Sequence, residues 1–263
     1  MIIDIIVLSA IFFISGISVL VGALTISGML ASLFVGFSIY LGTGVRGLLL
    51  LLWFFATSSF WSKWKSDEKR KIDENFIKGD ARNWIQVVAN GAIPAILSLL
   101  YRLRGEKVFL FALAAGLASA NADTWASEIG ILSRKNPVDP LTFRPMERGT
   151  SGAVSLPGTV AAFLGSFSTA VLSSVLWIRS LSLSDGMLIT LLGFFNMFLD
   201  SLMGRFFQER FQCAVCGKIV EQPAHCGKRG NRIRGIPHFS NHAVNFCSLL
   251  CTTVIGILIY PSC

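Results

Sequence analysis

The apolar run from position 108 to position 132 is interrupted by groups that can do chemistry, in the string Asn121-Ala-Asp123-Thr-Trp-Ala-Ser-Glu128. Helical spacing puts Asn121 and Glu128 on one face, with Asp123 alongside. In a chain that spans a membrane, charged groups at such depth are costly and usually functional. We therefore look for the chemistry of this protein first at these two carboxylates.

The two acids have a functional and a structural interpretation. Neither Asp123 nor Glu128 has a basic neighbour in its own helix, which would leave both free to hold a cation. Mg²⁺ prefers oxygen ligands and usually takes one or two carboxylates together with substrate phosphates. We therefore expect both acids to bind Mg²⁺, and the alternative is an interhelical hydrogen bond or an ion pair with an arginine.

A third acid lies in a second apolar stretch. Asn196, Asp200 and Gly204 recur at every fourth position, so they form one stripe of a helix, and Arg205 follows them. We expect Asp200 to bind the same Mg²⁺, Asn196 to line the site and Arg205 to face a phosphate. The alternative is an ion pair between Asp200 and Arg205, or a contact of Asp200 with an asparagine.

A glycine-rich segment, Arg148-Gly149-Thr150-Ser151-Gly152, joins a basic loop to the next helix. Its glycines let the backbone approach a ligand closely, and N–H groups at a helix start bind anions. Arg148, Thr150 and Ser151 would add contacts to phosphate oxygens. The Gly-Lys-Ser/Thr ending of a Walker A sequence is absent, and a flexible loop that caps the next helix is the alternative.

Asparagines stand near two further helix starts. Asn90 follows Gln86 by four positions, and Asn241 and Asn245 share a face at the start of the last apolar segment. We expect the three asparagines to complete a polar pocket for the bound nucleotide. The alternatives are a helix–helix contact at Asn90 and N-capping by Asn241 or Ser240.

Cysteines and a histidine cluster in the last loop, where Cys213-Ala-Val-Cys216 is followed by His225-Cys226. A Cys-x-x-Cys pair with a further Cys and His in a cytoplasmic segment suggests a structural zinc site. His238 is another possible ligand. A set of reduced thiols is the alternative, since disulfides are rare in the cytoplasm.

The elements that position these groups are membrane helices. The chain has 263 residues, of which 53% are hydrophobic and 14% charged, whereas a soluble domain has about 25% charged residues. We expect a membrane helix at the N-terminus instead of a signal peptide, because a basic leading region is missing.

At about 20 residues per crossing, the apolar segments predict about eight transmembrane helices, two within 5–45 and the others near 44–61, 84–101, 108–132, 154–178, 186–206 and 243–260. The predicted fold class is all-α, a polytopic membrane helix bundle that forms a single integral membrane domain over residues 1–263.

Basic residues are concentrated in the loops 62–83, 133–153 and 205–242, which carry 18 of the 23 lysines and arginines. The positive-inside rule then predicts that these loops and the active site face the cytoplasm, with both termini outside the cell membrane. The net charge of +8 reflects this topology. No aromatic-basic pattern supports binding to nucleic acid.

Several strings, in this order along the chain, resemble a family of integral membrane proteins of formerly unknown function that includes plant phytyl-phosphate kinases and animal transmembrane protein 19. The block 121–130 is highly specific, and the resemblance covers roughly residues 70–260. The matching strings are Gln86–Gly91, Asn121–Gly130, Glu147–Gly152, Asp200–Gly204 with Gln208, Cys213-x-x-Cys-Gly217, His225–Gly227 and Asn241–Asn245. Met146 and Arg205 stand where the family is expected to have small residues.

The resemblance implies phosphate transfer from a nucleoside triphosphate, CTP in the plant members, to a prenyl monophosphate. The family is also distantly similar to CTP-dependent polyprenol kinases and phosphatidate cytidylyltransferases. In the kinase, Mg²⁺ held by Asp123, Glu128 and Asp200 would bridge the phosphates, while Arg148 would neutralise the triphosphate. The partners would be an isoprenoid lipid phosphate, the nucleotide and membrane lipids.

Two other functions use the same residues. A cytidylyltransferase acting on a lipid phosphate would attack the α-phosphate and release pyrophosphate. A cation-coupled transporter or lipid translocator would use the intramembrane acids for ion coupling. Against transport, the sequence has no paired halves, and its largest polar loops all fall on one side.

Overall fold

The computed structural model describes residues 2–72, 81–150 and 152–260. Within them, seven helices are long and apolar enough to cross a membrane. The helices are α1 (Ile2–Leu20), α2 (Ile26–Lys63), the short α3 (Ser66–Ile72), α4 (Trp84–Arg104), α5 (Lys107–Gly130), α6 (Leu156–Leu176), α7 (Leu183–Phe206) and α8 (Asn241–Ile259). The prediction of a polytopic helix bundle is confirmed.

The helix α2 is a hairpin with two arms, 26–43 and 45–63. Gly44 breaks it with a φ of 67° and a ψ of −157°. A Cβ placed on Gly47 would stand 2.8 Å from the Ile39 side chain, and one on Gly36 would stand 3.9 Å from Leu48. A straight helix would separate such pairs by about 12 Å or more at a rise of 1.5 Å per residue, so the arms run antiparallel. The second arm corresponds to the separate helix predicted near 44–61.

The helix that carries the 121–128 string is the axis of the bundle. α5 contacts α2, α4, α6, α7 and α8. Its middle is built of alanine, glycine and serine, which allow neighbouring backbones to approach closely. A Cβ on Gly158 of α6, for example, would stand 2.8 Å from the Ala126 carbonyl oxygen. The predicted chemical groups therefore lie at the centre of the bundle and not on its lipid-facing surface.

The three long loops meet at one end of the bundle. Lys69 of α3 contacts Glu128 near the end of α5, and Arg205 at the end of α7 contacts Asp139 in the loop between α5 and α6. At the opposite end, Arg102 Nη1 donates to the Leu41 carbonyl oxygen at 2.9 Å. The clustering of the basic loops at one end agrees with the predicted topology.

The last loop adds a small β unit that the all-α prediction did not contain. Its strands are β1 (Arg210–Gln212), β2 (Ile219–Val220), β3 (Ala224–His225), β4 (Lys228–Arg229) and β5 (Asn231–Arg234). The order β2-β1-β5 forms one antiparallel sheet, and β3 pairs with β4. Strands of two to four residues have too few positions to show an alternating pattern, so hydrophobic periodicity does not predict them.

Candidate functional site

A cavity of about 1720 Å³ opens at the loop end of the bundle and extends between the helices. Its outer part is polar. The polar residues that line it include Arg82, Asn90, Asp123, Arg148, Thr150, Asp200, Asn241 and Asn245. Its inner part is apolar and lies between α1 and α2, where it is lined by Ile6, Val7, Ala10, Ile11, Ile14, Val35, Leu48, Leu49, Leu52 and Phe55.

Asp123 of α5 and Asp200 of α7 both line this cavity. Both side chains are partly exposed. Asp200 Oδ1 accepts a hydrogen bond from Ser248 Oγ of α8 at 3.0 Å, which orients the carboxylate. Asp123 and Asp200, two of the three predicted metal ligands, therefore both lie on the wall of this cavity, and their role as ligands stays a prediction.

Glu128 also lies at the cavity, but it has a basic partner. Its Oε2 is 2.8 Å from Lys69 Nζ, and its Oε1 accepts a hydrogen bond from Ser62 Oγ at 2.9 Å. The side chains of Lys69 and Glu128 are both buried, and Lys69 also donates to the Trp61 carbonyl oxygen. The expectation that Glu128 is free to hold a cation was wrong, because its partner comes from α3 and not from its own helix.

Asn121 is buried in the packing between helices. Its Oδ1 accepts hydrogen bonds from Thr57 Oγ1 at 3.1 Å and Ser58 Oγ at 3.3 Å. Its Nδ2 donates to the Gly165 carbonyl oxygen at 3.2 Å and to Thr169 Oγ1 at 3.0 Å. Both donors and the acceptor are therefore engaged, and the residue ties α5 to α2 and α6 instead of facing the cavity.

Asn196 has a similar position between α7 and α8. It is buried, and its Oδ1 accepts a hydrogen bond from Thr252 Oγ1 at 2.9 Å. Asn196 is not among the described residues that line the cavity. Its predicted place in the ligand site is corrected to a contact that holds α7 against α8, one turn below Asp200.

The glycine-rich segment runs along the cavity rim. Gly149 and Gly152 have φ of 80° and 78°, which a residue with a Cβ rarely adopts. A Cβ on Gly152 would also stand 2.7 Å from the Ser201 carbonyl oxygen of α7. Arg148 and Thr150 line the cavity, and Ser151 lies outside the described residues. Arg148 is exposed and donates to the Arg134 carbonyl oxygen. The segment therefore packs against α7 at Gly152, while the Arg148 guanidinium lies at the mouth of the cavity.

Arg205 points away from the cavity. It pairs with Asp139 and lies 5.5 Å from the centroid of the Phe206 ring. Asp139 also accepts hydrogen bonds from the backbone N–H groups of Leu141 and Thr142. Burial raises the pKa of Asp139, but these N–H groups and the Arg205 charge outweigh it and hold the pKa below its ordinary value. The predicted phosphate contact of Arg205 is therefore corrected to a loop-stabilising ion pair.

The asparagines near the other helix starts do reach the cavity. Asn90, Asn241 and Asn245 all line it, and Asn90 Nδ2 donates to the Gln86 carbonyl oxygen at 3.2 Å. At α8, Ser240 is the N-cap residue but, among the described residues, its side chain makes no capping hydrogen bond. Asn245 Oδ1 is buried without a hydrogen-bond partner in the described part of the chain. This acceptor is positioned to receive a donor from a bound molecule or to contact a cation.

Arg82 is a cavity residue that the sequence analysis did not single out. It lies immediately before α4, and its guanidinium lies 5.5 Å from the centroid of the Phe55 ring and 6.0 Å from that of Phe54. Burial lowers the pKa of Arg82 to about 10, although the charge of Glu128 opposes the shift. The group remains a cation at neutral pH. The sequence does offer one signal for Arg82, which is its position one residue before Asn83, the N-cap residue of α4. The Asn83 side chain accepts a capping hydrogen bond from the Gln86 N–H.

The charge of the lining bears on what the cavity can bind. Among the described lining residues, six are carboxylates, Asp123, Glu128, Glu147, Asp200, Glu209 and Glu221, and five are cations, Lys71, Arg82, Arg148, Arg210 and Lys218. A polyphosphate would meet carboxylates as well as cations, and a divalent ion would offset that repulsion. The donor set fits a phosphate ligand that arrives with Mg²⁺.

The four predicted zinc ligands Cys213, Cys216, His225 and Cys226 come together in the β unit, with their ligand atoms within 4.8 Å of one another. His238 is not part of this group among the described residues, and its backbone N–H donates to Glu209 Oε2 at 3.1 Å. Hydrogen bonds from backbone N–H groups lower the pKa of Cys213 to about 6, while burial raises the pKa of Cys226 to about 11.

Comparison with known proteins places these features in a family context. Residues 9–253 match the family model described as integral membrane protein DUF92. Protein PGR of Arabidopsis thaliana is 32% identical over 256 residues, which cover 89% of this chain and 88% of that protein. The uncharacterized membrane protein MJ0933 of Methanocaldococcus jannaschii is 29% identical over 235 residues, 89% of this chain and 84% of the relative. Protein VTE6, chloroplastic, of Arabidopsis thaliana is 30% identical over 161 residues, 59% of this chain and 48% of the relative. No solved structure matches the chain.

Proposed function

The chain belongs to the integral membrane protein family DUF92, as its motifs indicated, and from that premise we propose that it is a membrane kinase for isoprenoid lipid phosphates. It would transfer the terminal phosphate of a nucleoside triphosphate, CTP by the family resemblance, to a prenyl monophosphate. The products would be the prenyl diphosphate and the nucleoside diphosphate.

The observation that carries this proposal is the two-part character of this cavity. Its outer part offers carboxylates, cations and the start of α8, whose N-cap side chain makes no capping hydrogen bond among the described residues, while its inner part is lined by aliphatic and aromatic side chains of α1 and α2. α1 packs on α2, and most of its residues are exposed, so the apolar part lies close to surrounding lipid. A prenyl phosphate has the same division, a long apolar tail and a doubly charged head.

The residues of the outer part suit phosphoryl transfer. Asp123 and Asp200 would hold Mg²⁺, which would supply positive charge to the bridging phosphates. Arg82 and Arg148 would bind the remaining phosphate oxygens, and the rim backbone around Gly149 would approach them closely. The acceptor is itself an anion, so a strong general base is not needed, and the main task of the protein is positioning and charge stabilisation.

In this proposal Glu128 does not bind the metal but holds α3 and Arg82 in position. Its ion pair with Lys69 fixes α3 against the end of α5, one and a half turns beyond Asp123. The pair also places the negative charge of Glu128 close enough to Arg82 to act on its pKa. Through these contacts Glu128 would keep the Arg82 guanidinium beside the mouth of the cavity.

The concentration of basic residues in the loops at the site end supports an orientation in which the cavity opens to the cytoplasm and both termini lie outside. Nucleotide would then enter from the cytoplasm and the lipid from the membrane. A protease-accessibility assay on sealed vesicles tests this orientation: tags inserted after residue 142, in an exposed part of the loop between α5 and α6, and after residue 180 should be cleaved from opposite sides.

The decisive assay uses purified protein in lipid nanodiscs with Mg²⁺, each labelled nucleoside triphosphate and a panel of prenyl monophosphates. The kinase predicts a nucleoside diphosphate and a prenyl diphosphate in equal amounts. Pyrophosphate together with a nucleotidyl-lipid would instead identify a cytidylyltransferase. Lipid or ion movement across liposomes without nucleotide turnover would identify a transporter and overturn the proposal.

A further inference from the structure

The β unit of residues 210–234 brings four metal-ligating groups to one point. Cys216 Sγ is 3.4 Å from His225 Nδ1, and Cys226 Sγ is 3.2 Å from the same nitrogen. All four ligand atoms, including Cys213 Sγ, lie within 4.8 Å of one another. A tetrahedral zinc ion holds a sulfur and a nitrogen about 3.6 Å apart and two sulfurs about 3.8 Å apart, given bonds of about 2.3 and 2.1 Å. The spacing of the four atoms matches that geometry.

The backbone around the first two cysteines is shaped for a metal. The Val215 N–H donates to Cys213 Sγ at 3.4 Å, and the Gly217 N–H donates to the Cys213 carbonyl oxygen at 3.0 Å. Gly217 has a φ of 72°, a conformation that suits glycine. This turn directs both sulfurs to one side, and the N–H group stabilises negative charge on a thiolate.

The second pair of ligands sits on a tight hairpin. β3 and β4 pair through His225 and Lys228, which leaves Cys226 and Gly227 as the two-residue turn. Both have positive φ, 52° and 73°, as the twist of such turns requires. A positive φ is unfavourable for a residue with a side chain, and the turn puts the Cys226 sulfur beside the sulfurs of the first turn. A metal bond at this position would offset that cost.

The β unit buries few apolar side chains. Every residue of β4 and β5 is exposed, and the buried apolar side chains of the described unit are Phe211, Cys213 and Val220. Cys213, Cys216 and Cys226 are free thiols. A unit of this size buries too little apolar surface to be stable alone and usually depends on a metal or disulfides.

We propose that Cys213, Cys216, His225 and Cys226 bind one structural Zn²⁺ ion that fixes the β unit as a wall of the cavity. With four protein ligands the site is closed and leaves no open position for catalysis. The stretch from Cys216 to Pro223 lines the cavity, so the metal would hold this wall in place beside the polar mouth. The proposal does not rest on the kinase activity, since zinc content is measured without any turnover.

The test is the zinc content of purified full-length protein, measured by inductively coupled plasma mass spectrometry after expression with added zinc. We expect about one zinc per chain in the wild type and in Cys251→Ser, a matched control because Cys251 is an exposed cysteine of α8. The double variant Cys213→Ser/Cys216→Ser should contain less than a tenth of that amount. A wild type with no bound zinc, or with iron in its place, overturns the proposal.

A second measurement on the wild type avoids variants that fail to fold. Removal of zinc by a chelator should make Cys213 and Cys226 accessible to alkylation and should speed tryptic cleavage between 218 and 234 at least tenfold. The far-UV circular dichroism of the helix bundle should stay unchanged, and re-addition of zinc should restore protection. Equal alkylation and cleavage rates before and after chelation contradict the proposal.

Discussion

Lys69 Nζ lies 2.8 Å from Glu128 Oε2, and both side chains are buried. The pair joins α3, in the loop after α2, to the end of the central helix α5. Because the two residues are 59 positions apart, the contact connects the cavity mouth to the bundle axis. The ion pair also offsets the charge of Glu128, which is why we do not assign this acid to the metal.

Breaking this pair should destabilise the protein. We expect Lys69→Met to lower stability by about 3–5 kcal/mol, because it leaves a buried carboxylate without its partner, whereas Lys69→Met/Glu128→Gln should recover most of the loss. Thermal unfolding in detergent measures both. Lys65→Met is the matched control, because the Lys65–Glu68 pair is exposed and such pairs contribute little. Equal losses in Lys65→Met and Lys69→Met would contradict the interpretation.

The acids that line the cavity should be needed for turnover and not for folding. Asp123→Asn and Asp200→Asn are each expected to lower kcat by about 100-fold or more, because each removes a charge that would hold Mg²⁺ at the phosphates. Asp67→Asn, an exposed acid of α3, is the control. Turnover should be followed together with thermal stability. Near-normal rates in both Asp123→Asn and Asp200→Asn would show that these acids do not form the proposed Mg²⁺ site.

Arg82 should act on binding of the phosphates. We expect Arg82→Gln to raise KM for the nucleotide or for the prenyl phosphate about tenfold or more, since a hydrogen bond to a charged group contributes about 1.5–3 kcal/mol. Arg104→Gln at the opposite end of the bundle should leave both KM values unchanged. Initial rates at varied concentrations of each substrate give the KM for the nucleotide and the KM for the prenyl phosphate separately. Unchanged KM values for both substrates in Arg82→Gln would show that its guanidinium only packs on Phe55.

The apolar part of the cavity should select the lipid tail. Ala10 of α1 lines it, and Ala10→Trp would fill the space between α1 and α2. We expect KM to rise more for a twenty-carbon prenyl phosphate than for a five-carbon one. The control is Phe13→Trp, at an exposed position of the same helix. If both variants affect long and short substrates alike, the tail does not occupy this part of the cavity.

The sequence predicted the helix bundle well because hydropathy and loop charge are properties of single segments. Hydropathy predicted the positions of the membrane segments. Loop charge predicted that the basic loops lie at one end of the bundle. The boundary at Gly44 was anticipated, because the segments within 5–45 and near 44–61 were predicted to be separate helices. The antiparallel arms of the α2 hairpin depend on a single φ of 67°, which no periodicity encodes.

The site was predicted less completely, because residue type does not reveal partners from distant segments. Asn121 and Glu128 looked alike in a polar stripe, but hydroxyl groups of α2 and α6 engage the first and Lys69 engages the second. Arg205 forms an ion pair with Asp139, which lies in the loop between α5 and α6. Asp123 of α5 and Asp200 of α7 line the cavity, and their binding of Mg²⁺ stays a prediction.

Phosphate transfer that depends on Asp123 can be followed with labelled CTP. Purified wild type and Asp123→Asn would be incubated in nanodiscs with Mg²⁺, a twenty-carbon prenyl monophosphate and CTP labelled either at the γ- or at the α-phosphate. The account predicts that γ-label appears in a prenyl diphosphate, that α-label stays in CDP, and that Asp123→Asn forms neither product. Transfer of α-label to the lipid, or equal rates in the two proteins, would contradict it.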